Sequence, residues 1–313
     1  MVARAGLLKK HKLLNKLYRH KFLYLMILPA FVLTAIFSYS PLFGWIIAFK
    51  RYRPGQSILG APSAGFAHFR TFLLDSKDFV HVFQNTLGIN LISLVVNICS
   101  AFLLALLLKE VYHRFFRRFV QTVVFIPFFI SWVIAYSIVY ALFSTNSGVL
   151  NQFLVNNGII EKSIEVLGSR KYAWQLMVSL SAWKNIGYNS IIFIAAIAGI
   201  EAEQYEAATI DGAGRFGRVW FITIPNLVPT LVVLLVLNSG WLLNSNFDQF
   251  YLFTNATNWE RMEVFDIYIY KFGLQLLNYS YATAVGIMRT VASLFMLLVV
   301  NALSKRLSGK SVL

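Results

Sequence analysis

Acidic side chains are scarce in this 313-residue chain: 13 Asp and Glu stand against 28 Lys and Arg, and only 13% of residues are charged. Cysteine is scarcer still. The single Cys99 excludes an internal disulfide and any cysteine-based metal cluster, and its place in an apolar run reads as packing. Five scattered histidines form no metal-ligand spacing. No Gly-x-x-x-x-Gly-Lys-Ser/Thr loop occurs, so no nucleotide phosphate is cradled in that way. No low-complexity linker sets off a soluble catalytic domain.

Apolar residues are what the chain has in abundance. They make up 58% of it, with a mean hydropathy of +0.64, which points to an integral membrane protein. The net charge of +15 then reads as loops facing anionic headgroups rather than as a nucleic-acid surface. Six spans are expected, each near the ~20 residues a bilayer core requires. They are Phe22–Phe49, Asn85–Leu108, Phe119–Phe143, Trp174–Ile200, Val228–Tyr251 and Tyr281–Leu303. The first can kink at Pro29 and Pro41. The fourth and sixth are interrupted by Lys184 and Arg289.

Lys and Arg on alternate sides of these spans number 16 and 10, with both termini on the richer side. By the positive-inside rule both termini are cytoplasmic. The expected layout is a basic N-terminal segment (1–21), a membrane-spanning domain (22–304) with an internal loop (201–227), and a short tail (305–313).

That loop contains "YEAATIDGAGRFGRVWFITIPNLVP", Tyr205 to Pro229. Its opening favours helix, Gly212 and Gly214 break it, and Pro225 and Pro229 are expected to reset the chain before the fifth span. On physics alone this is equally an ordinary amphipathic loop at the interface. However, Glu206-Ala207-Ala208, Gly212 after three intervening residues, and Ile222-Thr223-Ile224-Pro225 after nine more resemble the EAA signature of permease subunits in binding-protein-dependent ABC importers. Ile224 stands where the signature has leucine. Asp211 before Gly212 matches the form common in sugar permeases. The C-terminal stretch from Tyr281 looks like the oligosaccharide and polysaccharide branch.

The resemblance implies an all-α membrane protein of the type I importer (MetI-like) fold in the cell membrane. It implies that the loop is a coupling helix seated in a groove of a separate ATPase. Glu206 would pair with a basic residue there, Ala207 and Ala208 would allow close packing, and Gly212 would permit the bend. The implied partners are a second permease, two ATPase subunits that bind ATP and magnesium, and an external solute-binding protein. The chain itself would hold no cofactor and catalyse nothing.

Intramembrane polar residues mark candidate pathways. Ser181, Lys184, Asn185 and Tyr188 recur at three- and four-residue spacing on one face of the fourth span. Asn238, Trp241, Ser245 and Asp248 form a comparable stripe on the fifth, and Phe128, Trp132 and Tyr136 one on the third. Aromatic faces beside amides and hydroxyls suit sugars. The plainer reading is that such residues bond one another between helices. Lys184 is expected either to pair with Asp248 or, with Arg289, to attract the carboxylates of an acidic oligosaccharide such as alginate. An ion-coupled secondary transporter would also use these charges, but no convincing internal repeat accompanies them. A membrane-embedded enzyme would need clustered catalytic groups, which are absent.

Overall fold

A computed structural model describes residues 19–308. Most of the basic N-terminal segment and residues 309–313 of the tail lie outside the described residues. Those described form helices and connecting loops, with one isolated bridge between Lys50 and Ser63. Four helices are long and apolar enough to cross a membrane: α1 (Lys21–Phe49), α3 (Asp78–Glu110), α9 (Arg215–Ser239) and α13 (Tyr279–Ser308). Two bent pairs bring the number of candidate spans up to six when each pair is counted as one: α4 (Arg114–Phe129) with α5 (Trp132–Phe143), and α7 (Ala173–Ala198) with α8 (Ala202–Ile210). Shorter helices fill the remainder. They are α2 (Ala67–Arg70, prolonged by a π turn), α6 (Val149–Asn156), α10 (Phe247–Phe253), α11 (Trp259–Met262) and α12 (Phe265–Tyr270).

Helix α3 is the spine. Its 33 residues extend about 50 Å, longer than the hydrocarbon core, and it packs along α7. Towards its C-terminal end Ala101 and Ala105, both fully buried, let Phe193 of α7 approach. Towards its N-terminal end Ile89 joins Trp132, Met177, Phe250 and Met262 in a second core. A third joins Phe72 and Val82 to Tyr268 and Val285. Small residues at helix contacts are the usual device where lipid supplies no hydrophobic drive. In α1, by contrast, nothing from Lys21 to Thr34 is buried. Pro41 enters a 3₁₀ segment, Ser40–Phe49, and this lower part leans on α13.

Two expected spans need correction. The third is not continuous: the chain turns by 104° between α4 and α5. Pro127 fills the last turn of α4, Ile130 is extended, and the Ser131 hydroxyl caps α5 by accepting from Ile134 N. The fifth span begins at Arg215 and ends at Ser239, rather than running from Val228 to Tyr251. Pro225 and Pro229 do not reset the chain. A π turn, Val219–Thr223, precedes Pro225, and Pro229 sits inside the helix. Membrane helices absorb prolines by such local adjustments. The internal loop therefore shrinks from 201–227 to α8 and the turn after it.

Candidate functional site

Two features stand out, one within the bundle and one at its end. The first is a cavity of about 290 Å³ walled by α3, α7, α9 and the start of α10. Amides dominate its polar lining: Asn90 and Asn97 from α3, Asn185 and Asn189 from α7, Asn238 from α9, and Gln249 from α10. Ser93, Ser181, Asn244 and Asn246 add to them, and Trp241 provides an aromatic face. Among the described residues, no ionisable side chain lines it.

The cavity wall is held in place by bonds between helices. Asn97 Nδ2 donates to Ser181 Oγ at 3.0 Å. Asn90 Nδ2 donates to Leu242 O at 2.9 Å and to Ser245 Oγ at 3.0 Å, and Gln249 Nε2 donates to Met177 O at 2.9 Å. Asn97 Oδ1, buried on this wall, has no protein partner. An orphaned acceptor of this kind is satisfied by water or by a hydroxyl-bearing guest.

The expected pathway residues divide. Ser181, Asn185, Asn238 and Trp241 line the cavity. Ser245 stands behind it: its backbone N donates to Asp266 Oδ2 at 2.8 Å, and Asp266 forms an ion pair with Arg289. Asp248 is exposed on α10 and lies on neither α9 nor the cavity wall. Phe128 stacks on Tyr188 with ring centroids 4.3 Å apart, Trp132 is buried in the core, and Tyr136 packs edge-on against Phe253 at 5.0 Å.

Lys184 does not pair with Asp248. Its ammonium donates to the carbonyls of Pro127 at 3.1 Å and Phe128 at 3.0 Å, and also to that of Ile130. These are the acceptors freed where α4 ends, and a cation is favourable at the negative end of a helix. Gly187, one turn on, admits α4 closely. A methyl group there would run into the Val124 carbonyl and come within 2.7 Å of Phe125 Cα. Lys184, Gly187 and Tyr188 thus hold the break in the third span, and Arg289 holds Asp266. Neither cation faces the cavity.

Sequence reasoning missed the α3 wall. Its signal was present, since Asn90, Ser93 and Asn97 form a polar stripe at three- and four-residue spacing inside an apolar run.

The second feature is the turn after α7, where the chain bends 68° into α8. Glu206, Ala207, Thr209 and Ile210 are exposed on this short helix. Gly212 then takes φ +78°, and Ala213 N bonds back to Ala208 O at 2.8 Å. This is a Schellman-type end, which favours glycine at the left-handed position. Ile210 is 86% and Phe216 92% exposed, so the turn offers two apolar knobs flanking Asp211. Its root is tied to the bundle. Lys109, at the end of α3, donates to Thr223 Oγ1 at 2.8 Å and lies 3.9 Å from the Tyr205 ring centre, and the Tyr205 hydroxyl bonds Thr223 at 3.0 Å. Pro225 lies within α9, just after its π turn.

The glycine turn after α8 thus projects from a bundle whose helices wall a polar cavity. Residues 81–309 match the family described as binding-protein-dependent transport system inner membrane component. The chain belongs to that family. Over 97% of its length it is 38% identical to the polygalacturonan/rhamnogalacturonan transport system permease protein YteP of Bacillus subtilis (strain 168), covering 94% of that protein. It is 37% identical to Protein LplB of the same organism over 93% of this chain and 90% of that one. Among solved structures it is similar to a chain of a bacterial ABC transporter involved in the import of the acidic polysaccharide alginate. The TM-score is 0.86 at 36% identity, covering 95% of this chain and 99% of that one. The same likeness holds to that transporter in complex with alginate pentasaccharide-bound periplasmic protein. The chain is a multi-pass membrane permease of a sugar or oligosaccharide ABC importer. It is not itself an enzyme, and ATP hydrolysis belongs to a partner subunit.

Proposed function

We propose that this permease carries an acidic oligosaccharide, a chain containing uronate residues such as alginate, delivered by a solute-binding protein. The observation that carries this reading is the cavity wall of amides and hydroxyls without an ionisable group. Amide N–H groups donate to a carboxylate as readily as to a hydroxyl. A wall without fixed anions does not repel a polyanion, and one without lysine or arginine does not hold it too tightly to release. Relatives named for polygalacturonan and alginate favour the same cargo class. The charge of Lys184 plays no part, because it is engaged with backbone carbonyls.

In the mechanism we infer, both termini and the α8 turn face the cytoplasm. A second permease completes the pathway, and exposed α1 is available to lipid or to that subunit. Two ATPases, with their ATP and magnesium, grip Ile210, Phe216 and Glu206. ATPase closure pushes α8, the Lys109–Tyr205–Thr223 node passes the displacement to α3 and α9, and the cavity between them opens to the opposite side. The deciding experiment is ATPase stimulation of the reconstituted assembly by binding protein loaded with oligouronates or with neutral oligosaccharides of equal length. Stimulation by oligouronates is expected. Stimulation by neutral chains alone would retain the sugar importer and reject the acidic cargo.

A further inference from the structure

A second hollow, mainly aromatic and apolar with one ion pair at its edge, lies outside the cavity. Its position follows from α3, whose two ends are marked by different partners. Near one end Asn85 Nδ2 donates to Glu260 O at 2.7 Å and to Glu263 O at 3.3 Å. Near the other, Lys109 holds the root of the α8 turn. The intervening helix separates them by about 36 Å. A pocket of about 320 Å³ opens at the Glu263 end, bordered by Tyr251, Trp259, Glu263, Tyr270, Lys271 and Gln275.

Its chemistry differs from that of a packed core. Tyr251 and Tyr270 meet edge to face at 5.2 Å, yet Tyr251 remains 47% and Trp259 42% exposed. Lys271 Nζ lies 5.2 Å from the Trp259 ring centre and donates to Glu263 Oε1 at 2.9 Å. The Glu263 side chain is only 7% accessible, while that of Lys271 is 41%. The paired charges offer no net field for an isolated ion. They do place an acceptor and a multiple donor side by side among aromatic faces.

We propose that this pocket is a saccharide subsite holding one pyranose residue of the transported chain at the end of the bundle remote from α8. The apolar C–H face of the ring stacks on the exposed aromatics. Of two adjacent hydroxyls, one donates to Glu263 Oε2 and the next accepts from the Lys271 ammonium, which has three donors. Helix α10 is the wall shared with the cavity. Gln249 and Phe250 face the cavity, while Tyr251 faces the pocket, so an oligosaccharide can occupy both by passing around one short helix. The subsite rests on the reading that the cargo is a saccharide, but not on its being acidic.

The test uses the complete reconstituted assembly and whichever oligosaccharide the wild type transports. Trp259→Ala should raise the apparent KM for uptake about tenfold while kcat and basal ATPase stay near wild type. Lys271→Met should do the same, with Lys271→Arg restoring most of the loss. Without binding protein, the oligosaccharide should quench tryptophan fluorescence saturably, and Trp259→Phe should remove that component. An unchanged KM in Trp259→Ala and no Trp259-dependent quenching would overturn the subsite. So would an equal loss of affinity for loaded and empty binding protein, since that marks a docking contact. Uptake of neutral chains alone by the wild type refutes the acidic cargo instead, and leaves this test intact.

Discussion

Replacing Lys184 with methionine removes the cation but keeps an unbranched side chain of similar reach. In the native protein the ammonium serves three carbonyls at the α4–α5 break, those of Pro127, Phe128 and Ile130. Hydrogen bonds to a charged group contribute about 1.5–3 kcal/mol each in water-soluble proteins, and less between membrane helices. Taking the lower figure, the three lost bonds amount to about 4–5 kcal/mol. Relief of an intramembrane lysine offsets about 3 kcal/mol of that. A net loss of about 1–2 kcal/mol is expected, enough to lower the midpoint of thermal unfolding by about 2–3 °C for a chain of this size. The assay is thermal unfolding in lipid nanodiscs, beside uptake of acidic and neutral oligosaccharides. Lys184→Met should lower the melting temperature and depress uptake of whichever sugars are carried in equal proportion. An unchanged melting temperature with selective loss of acidic-sugar uptake would refute the structural role and return Lys184 to the substrate.

Gly212→Val adds no clash, since nothing lies within 4 Å of a Cβ there, but it must hold φ +78°. The strain, about 1–3 kcal/mol, should cut ATPase stimulation by loaded binding protein, whereas Gly212→Asn should retain most of it. Lys109→Met breaks the bond to Thr223 and the contact with Tyr205. Sugar moved per ATP hydrolysed should fall severalfold while basal ATPase persists, and an unchanged ratio would show that the node transmits nothing. Gly187→Ala forces α7 away from α4 and should cost about 1–3 kcal/mol, read as a lowered melting temperature with no change in sugar preference.

The helical membrane class and the α8 turn were legible because each rests on local chemistry. Long apolar runs need helices in lipid, and Gly212 marks a left-handed position whatever surrounds it. The break in the third span was less legible. Pro127 signals that a helix can end, but the carbonyl acceptors that Lys184 satisfies belong to another element 54 to 57 residues away in sequence. Residues Ser181, Lys184, Asn185 and Tyr188 do share an arc of α7. That arc is wide enough for two neighbours, and the structure gives Ser181 and Asn185 to the cavity and Lys184 and Tyr188 to α4. The fifth span was misplaced because proline was weighted as a stop, and the π turn before Pro225 has no signature in composition. Asn90, Ser93 and Asn97 needed only the periodicity already applied to α7.

The most direct measurement is ATP-dependent accumulation of a labelled oligouronate in proteoliposomes containing the full assembly, with this chain as wild type or as Asn185→Leu plus Asn189→Leu, both on the cavity wall. Accumulation by the wild type, lost in the double variant while basal ATPase and melting temperature are kept, is the predicted result. Equal accumulation by both would contradict the amide-lined cavity as the route of the sugar.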